Sequence, residues 1–563
     1  MSSGNEIDNL INTLRMRSRA AREESARQLE SCGEVVIPRL EAVLMESTGV
    51  VAETAALILS RIGIPAIPAL AKALREGGHN RRKYASIALA HIGAAAIPVL
   101  EAAAMDEDRG VRWRAFNALA RIGIRNMPFI VARLLDSDQE TRLEILSATE
   151  AQLTSADTAD SDQWDAERSS IVPCLIRLLE LTDPNMLRFG NGMLQKVGLP
   201  SIDCLAEYVL NCRNEVAETN CVHALRSLLY GCIKESEEAG NILLGYTAAL
   251  FKKAPYLAVA HAHLSNEDYR QAFDSGDSRV CREQLGNAYL LLFADLGILA
   301  VPVLAPAWLK ETKEKREFSD RAMDIAFRGW LLRRDIPHIP YVNPKNYRGP
   351  TSPDDRIFSE ADPGSMEDVD KIVSALEYKY EKMIDDLLEK RETEPNGSTR
   401  CSSASELRKS SKTLSLVRER AIQTVQDKGV MMLPCIIEMV ENGDDDRCLC
   451  ALEALSLING IDTGILNNNP KLLSVLIRFM KMPHDWYRIR VIASANHMGQ
   501  PLLPFLSQYA SKARNELDTL GAIAVMGSIG WEARAYVEPF MFHSNMAIGA
   551  FSRWYLAKIA ADE

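Results

Sequence analysis

Four stretches of the N-terminal quarter fall into register when the chain is written in rows of 30: ESCGEVVIPRLEAVL (30–44), SRIGIPAIPALAKAL (60–74), AHIGAAAIPVLEAAA (90–104) and ARIGIRNMPFIVARL (120–134). Glycine recurs at Gly33, Gly63, Gly93 and Gly123, and proline five residues later at Pro38, Pro68, Pro98 and Pro128. A fixed period of this length leaves few folds open. Each unit is too small to bury its own apolar face, so it must stack on its neighbours into a continuous core.

The columns say which elements stack. Upstream of each glycine, Leu29, Leu59, Leu89 and Leu119 share one column and Ser25, Ala55, Ala85 and Ala115 another, a spacing that predicts one stripe of a first helix packed closely through small residues. Glycine ends that helix in a conformation most side chains avoid, and proline suits the first turn of the next, where no backbone donor is needed. The second helix carries Ile37, Ile67, Ile97 and Met127, then Leu40, Leu70, Leu100 and Ile130, then Leu44, Leu74, Ala104 and Leu134.

The same spacing returns at Gly297/Pro302, Gly429/Pro434 and Gly499/Pro504, and weaker first-helix ends are expected at Gly198, Gly231, Gly329, Gly460 and Gly530. About a dozen helical pairs follow, which at roughly 10 Å per pair make a curved all-α solenoid of about 120 Å contour length. Composition agrees, because 47% of residues are hydrophobic but only 6% are aromatic. That aliphatic balance suits helices better than sandwiches or barrels.

The pattern V-R-x-x-A-x-x-A-L-x-x-I-G-x4-P is met by Val111, Arg112, Ala115, Ala118, Leu119, Ile122, Gly123 and Pro128. These units resemble HEAT-like repeats, specifically the short 30-residue class first associated with phycobilisome lyases. The resemblance is clear over 20–135 and 413–540 and partial over 171–335. It implies architecture more than chemistry, since that family includes scaffolds, transport adaptors, a bilin lyase, an iron hydroxylase and DNA glycosylases.

Breaks in the period divide the chain. Repeats over 1–153 are followed by an acidic insertion at 154–170, with a first helix at 141–153 before it and a second helix starting near Pro173 after it. Degenerate repeats fill 171–335, a Pro/Ser-rich and partly disordered linker 336–412, and further repeats 413–563. Within the linker, Val369, Val373, Leu376, Tyr380, Met383 and Leu387 form a heptad seam over 366–392 that either docks on the solenoid or pairs two copies of the chain. The serines Ser402, Ser403, Ser405, Ser410 and Ser411 lie beside Arg400, Arg408 and Lys409, as a phosphorylation-controlled hinge or a passive linker.

Catalytic patterns are missing from the sequence. No histidine is followed by glutamate, as the iron hydroxylase's ligand pairs would need; only His484-Asp485 approaches it. His261 and His263 would point apart on a helix. No phosphate-binding loop, nucleophile elbow or zincin motif occurs. The 11 cysteines include no C-x-x-C, and Cys448 and Cys450 are expected to behave as small hydrophobes. No catalytic residue, metal or cofactor is expected. The first 20 residues lack a signal-peptide core and the apolar run 289–309 is broken by Gly297, Pro302 and Pro306, so a cytoplasmic chain without a membrane span is expected.

Net charge is -11, yet residues 1–135 hold 18 Lys/Arg against 14 Asp/Glu. Arg22, Arg82 and Arg112 share one column and Arg61, His91 and Arg121 another; Arg81, Lys83, Arg109 and Arg114 add to the first, with Tyr84 and Trp113 interleaved. Arg81, Arg82, Lys83, Arg109, Arg112 and Arg114 are therefore the candidate contacts to a partner or a phosphate. Arginines used between repeats would give the same pattern. The reading is a non-enzymatic scaffold or adaptor that binds protein partners along its surface, with nucleic-acid binding through the basic arm as one alternative. A bilin-lyase-like or chaperone-like role is a second, implied only by the resemblance.

Overall fold

The computed structural model describes residues 4–15, 19–123, 126–155, 164–229, 233–256, 278–332, 358, 360–377, 404–442, 445–458, 471–483 and 485–562. Among these the regular structure is all helical, α and 3-10, with no strand. The chain divides into two compact units, Met1–Cys204 and Leu205–Glu563.

In the first unit the helices are α1 (Gly4–Leu14), α2 (Arg19–Ser31), α3 (Ile37–Glu46), α4 (Gly49–Ile62), α5 (Ile67–Glu76), α6 (His79–Ile92), α7 (Ile97–Ala103), α8 (Arg109–Ile122), α9 (Met127–Asp136), α10 (Gln139–Ser155), α11 (Trp164–Leu179) and α12 (Pro184–Val197). First helices pack on first helices, α2 on α4, α4 on α6, α6 on α8 and α8 on α10; second helices do the same, α3 on α5, α5 on α7 and α9 on α11. That two-row stacking is an α-solenoid.

The local chemistry follows the columns. Gly33, Gly63, Gly93 and Gly123 adopt positive φ of 64°, 86°, 81° and 121°, the region where a β-carbon is strained. After the first three a 3-10 turn follows, and Pro38, Pro68, Pro98 and Pro128 all enter the first turn of the next helix. Leu29, Leu59, Leu89, Leu119, Leu40, Leu70, Leu100 and Ile130 are fully buried. One column lies deeper than the spacing suggests: Val36, Ala66, Ala96 and Asn126 are buried, whereas Ile37 and Ile97 are only half-buried. The 3-10 turn advances the chain differently from an α-turn, which swings the residue before the expected stripe into the core.

Exposed ion pairs link successive repeats at a constant separation of 31 residues, Asp8–Arg39 at 2.8 Å, Glu30–Arg61 at 3.2 Å and Glu41–Lys72 at 2.9 Å. Each contributes little alone, about 0–1 kcal/mol. Together they repeat the register of the core on the surface.

The structure differs from the sequence expectation at several boundaries. α10 runs to Ser155 and α11 begins at Trp164, so helix takes up both ends of 154–170, of which 156–163 lie outside the described residues, and Pro173 sits inside α11 instead of near its start. In the second unit, Gly429 and Pro434 lie within one helix, Ala404–Asn442, and no break occurs there. A β-carbon at 429 would stand 2.7 Å from Ile458 Cγ1, so this glycine permits close helix packing and not a turn. That helix also absorbs 404–412, the last part of the expected linker. Gly329 lies inside the helix Lys313–Leu332. Gly198 (φ 76°) and Gly530 (φ 104°) do end helices, while Gly231, Gly460, His261, His263 and His484 lie outside the described residues.

The helix Met366–Ser374 packs on Ala404–Asn442 and on Asp445–Leu457, with Val369, Val373 and Leu376 buried. This half of the seam is docked within the unit; Tyr380, Met383 and Leu387 lie outside the described residues. Two stretches, His79–Ala103 and Val280–Lys310, are long and apolar enough to cross a membrane by length and composition. Each is interrupted by a positive-φ glycine, Gly93 and Gly297, and 83% of the second one's apolar window is buried, as in a core hairpin.

Candidate functional site

The five candidate arginines and the one lysine separate by where their charge is used. Arg112 turns inward: Nη1 donates to the carbonyls of Asp106 (3.1 Å) and Glu107 (2.8 Å), and Nη2 meets Glu144 Oε2 at 3.1 Å. Arg82 does likewise one repeat earlier, donating to the Arg75 carbonyl at the end of α5 (3.1 Å) and pairing with Asp108 at 2.9 Å. Arg142, a column member that sequence inspection passed over, donates to the carbonyls of Leu134 (2.9 Å) and Leu135 (3.3 Å). Of these three arginines, 30 residues apart, Arg82 and Arg142 close the carbonyl end of the preceding second helix, where a cation meets the negative pole, and Arg112 clasps the loop that follows α7. Arg81 donates to the Ser47 carbonyl at 3.4 Å, and Lys83 is exposed.

What remains converges on one cleft. Gly77, Gly78 and His79 at the start of α6 face Arg109, Gly110, Trp113 and Arg114 of α8 across a cavity of about 470 Å³, with Arg82 in its wall. The glycines make the approach possible: a β-carbon at 77 would stand 2.3 Å from the Ala73 carbonyl oxygen, and one at 110 would stand 3.0 Å from Arg82 Nη1.

Charge in the cleft is unevenly spent. Arg109, largely exposed, is 3.5 Å from Glu144 and 3.7 Å from Glu140. Asp108 caps α8 by accepting from Gly110 and Val111 N–H, and the hydrogen bond from Arg82, followed by that from Gly110, holds its carboxyl below the usual carboxylate range. Arg114 has no carboxylate partner among the described residues. Its guanidinium lies 4.8 Å from the Trp113 ring centroid and donates from Nη2 to His79 Nε2 at 3.2 Å. Burial lowers the Arg114 pKa from its ordinary value, which marks a cation short of compensation. Trp113 is pinned by its Nε1–H donating to Ser147 Oγ at 3.1 Å. The N-terminus of α6 opens here without a side-chain cap, because Gly78 occupies the capping position.

A second polar cluster lies in the core of the second unit. Tyr289 donates to Glu218 at 2.7 Å, Lys253 pairs with Glu218 at 3.0 Å, and Arg226 pairs with Asp295 at 2.6 Å. Arg488, 1% exposed, donates to the carbonyls of Ala294, Asp295 and Met482 at 2.8, 2.8 and 2.9 Å. Burial, then Arg226, pushes the His223 pKa down to about 4. Inside the core the carboxylates of Glu218 and Asp295 are paired with Lys253 and Arg226, and Arg488 is spent on backbone carbonyls. Among the described residues no group of three or more His, Cys, Asp or Glu side chains is placed to hold a metal ion. Cys448 and Cys450 are buried.

Comparison with known proteins places the chain in no family. No family model matches it and no curated protein does. Solved structures it resembles include the karyopherin Kap121p bound to the extreme C-terminus of the protein phosphatase Cdc14p, at 12% identity over 99% of this chain and a TM-score of 0.28. The chain spans 57% of that karyopherin's length. Importin beta gives 12% identity over 95% of this chain and 73% of that one, with a TM-score of 0.27. The Kap95:Nup1 complex gives 13% over 99% and 77%, with a TM-score of 0.28. At TM-scores this low the fold assignment rests on the helices described above.

Proposed function

We propose that the chain is a non-catalytic scaffold that binds protein partners, and that the cleft between α6 and α8 receives an anionic segment of one of them. The resemblance of the residues around Val111–Pro128 to HEAT-like repeats supports this reading. The observation that carries the reading is Arg114: a half-buried cation without a carboxylate among the described residues, stacked on a fixed indole, beside a helix start with no side-chain cap. A surface of this kind suits a partner's extended segment, with apolar contact on the ring and charge on the guanidinium.

Nucleic acid is the weaker reading. A basic track needs free cations in successive repeats, but Arg82 and Arg112 already face Asp108 and Glu144 at 2.9 Å and 3.1 Å. Further phosphates along a strand would meet those carboxylates.

The test is affinity capture from native extract with and without nuclease, using the full chain and its R109A/R114A variant, with the absorbance spectrum of the purified chain recorded alongside. Nuclease-resistant protein recovery that drops in the variant is the expected result. Nuclease-sensitive recovery, a bound chromophore, or unchanged recovery by the variant would overturn the reading.

A further inference from the structure

Resting on the partner-segment reading above, we infer that the α6–α8 cleft recognises the phosphate of a phosphorylated serine or threonine in an extended partner segment. Three separate donor sources meet at this one place. The Arg114 guanidinium reaches it with its fork uncommitted to any carboxylate, Arg109 is held near it only by pairs of 3.5 Å and 3.7 Å, and the start of α6 brings backbone N–H groups that no side chain caps. A carboxylate offers two oxygens in one plane and is matched by a single fork. Three donor sources around one point fit a tetrahedral dianion, whose three free oxygens each accept a hydrogen bond.

The remaining walls suit the peptide that carries such a group. Gly77, Gly78 and Gly110 present backbone without side chains, and the Trp113 ring is locked by Ser147. The cavity of about 470 Å³ has room for the modified side chain and a neighbouring residue against the indole. His79 accepts from Arg114 through Nε2, since a guanidinium has no lone pair to offer in return. An arriving phosphate competes with that ring for the Arg114 donor and releases His79 to turn its own N–H to the anion. Arg82 lines the cavity wall with its Nη2 committed to Asp108 and the Arg75 carbonyl, so it fixes Asp108 and Gly110 as a positioning residue.

The experiment titrates the full chain into a short fluorescent degenerate peptide library with one fixed phosphoserine. Parallel titrations use the same library with serine and a single-stranded oligonucleotide. The phosphorylated library is expected to bind roughly tenfold or more tightly than its serine counterpart, the gain from new charge-assisted hydrogen bonds. R114A should erase that preference, R109A should reduce it, and K72A, on the exposed face of α5, should leave it intact. Thermal melts establish that each variant is folded. Equal binding of the two libraries, binding of neither, or preferential binding of the oligonucleotide overturns the phosphate assignment. In those cases partner capture by R114A separates the two readings: reduced nuclease-resistant capture keeps the scaffold site without phosphate recognition, and unchanged capture removes both.

Discussion

Replacing Arg112 with alanine tests whether the 30-residue arginine column holds the repeats together. The side chain makes two hydrogen bonds to carbonyls and one ion pair to Glu144, whose side chain is only 3% exposed. Losing one partner of a buried pair costs about 3–5 kcal/mol, and hydrogen bonds to a charged donor contribute about 1.5–3 kcal/mol each. Two features place the loss at the low end. Arg112 is 23% exposed, and Arg109 remains 3.5 Å from Glu144 to shield the orphaned carboxylate. The expected loss is about 3 kcal/mol, which for a cooperative unit near 200 residues corresponds to roughly 6–12 °C.

The assay is thermal and urea unfolding of the full chain followed by helical circular dichroism, with R112A, R112K and R114A side by side. R112K should lose most of the same energy, because an ammonium cannot span two carbonyls and a carboxylate. R114A should cost less than R112A, at about 1 kcal/mol or below, because it gives up one hydrogen bond to His79 and the Trp113 contact but leaves no buried carboxylate behind. A cycle with E144Q should show coupling of about 1–2 kcal/mol. If R112A unfolds with the parent, the column is not a clamp and the reasoning fails.

Other outcomes follow from the second unit. R488M leaves three buried carbonyls without their donor and should cost about 3–6 kcal/mol, read by urea unfolding. G297A places a β-carbon 2.7 Å from Arg488 Nη1 at a φ of 55°, so it should destabilise by about 2 kcal/mol or more, and the R488M background should recover part of that loss. His223 is held neutral in the fold, its pKa pushed down by burial to about 4 from the ordinary 6.5. Below pH 6.5 the unfolded chain takes up a proton that the fold refuses. Stability should therefore fall as pH drops from 6.5 toward 4 and the loss should level off below, with H223Q flattening that component by about 1.4 kcal/mol per pH unit at most.

Much of the first unit was legible because its information is local. Leu29, Gly33 and Pro38 recur in columns, and each column has one physical reason. Gly429 and Pro434 copied the spacing without the turn, because there the glycine answers to Ile458 and a long run of good helix formers carries the chain through the proline. For the cleft, Arg109, Arg114 and Trp113 were visible as residues, but not their division of labour. Arg82 and Arg112 are consumed by carbonyls that lie close only after α5 and α7 have ended. His79 carries no pattern of its own, although Gly77 and Gly78 stand where α8, α10 and α12 are preceded by Asp108, Asp138 and Asp183. The buried network around Glu218, Asp295 and Arg488 had no sequence signal, since its partners are up to 194 residues apart.

The constant 31-residue reach of the surface ion pairs carries a lesson in descent. In the first unit the ion pairs and arginine clamps join neighbouring repeats only, so a duplicated or deleted block of 30 residues arrives with its own couplings in phase and demands no new solution to the core. Such a unit can lengthen or shorten in a single genetic event. The second unit has given up that freedom: with Arg488 bound to the carbonyls of Ala294 and Asp295, removing a block between them would shift the two ends of the knot out of each other's reach. One part of the molecule is free to change by whole repeats, and the other only by substitution.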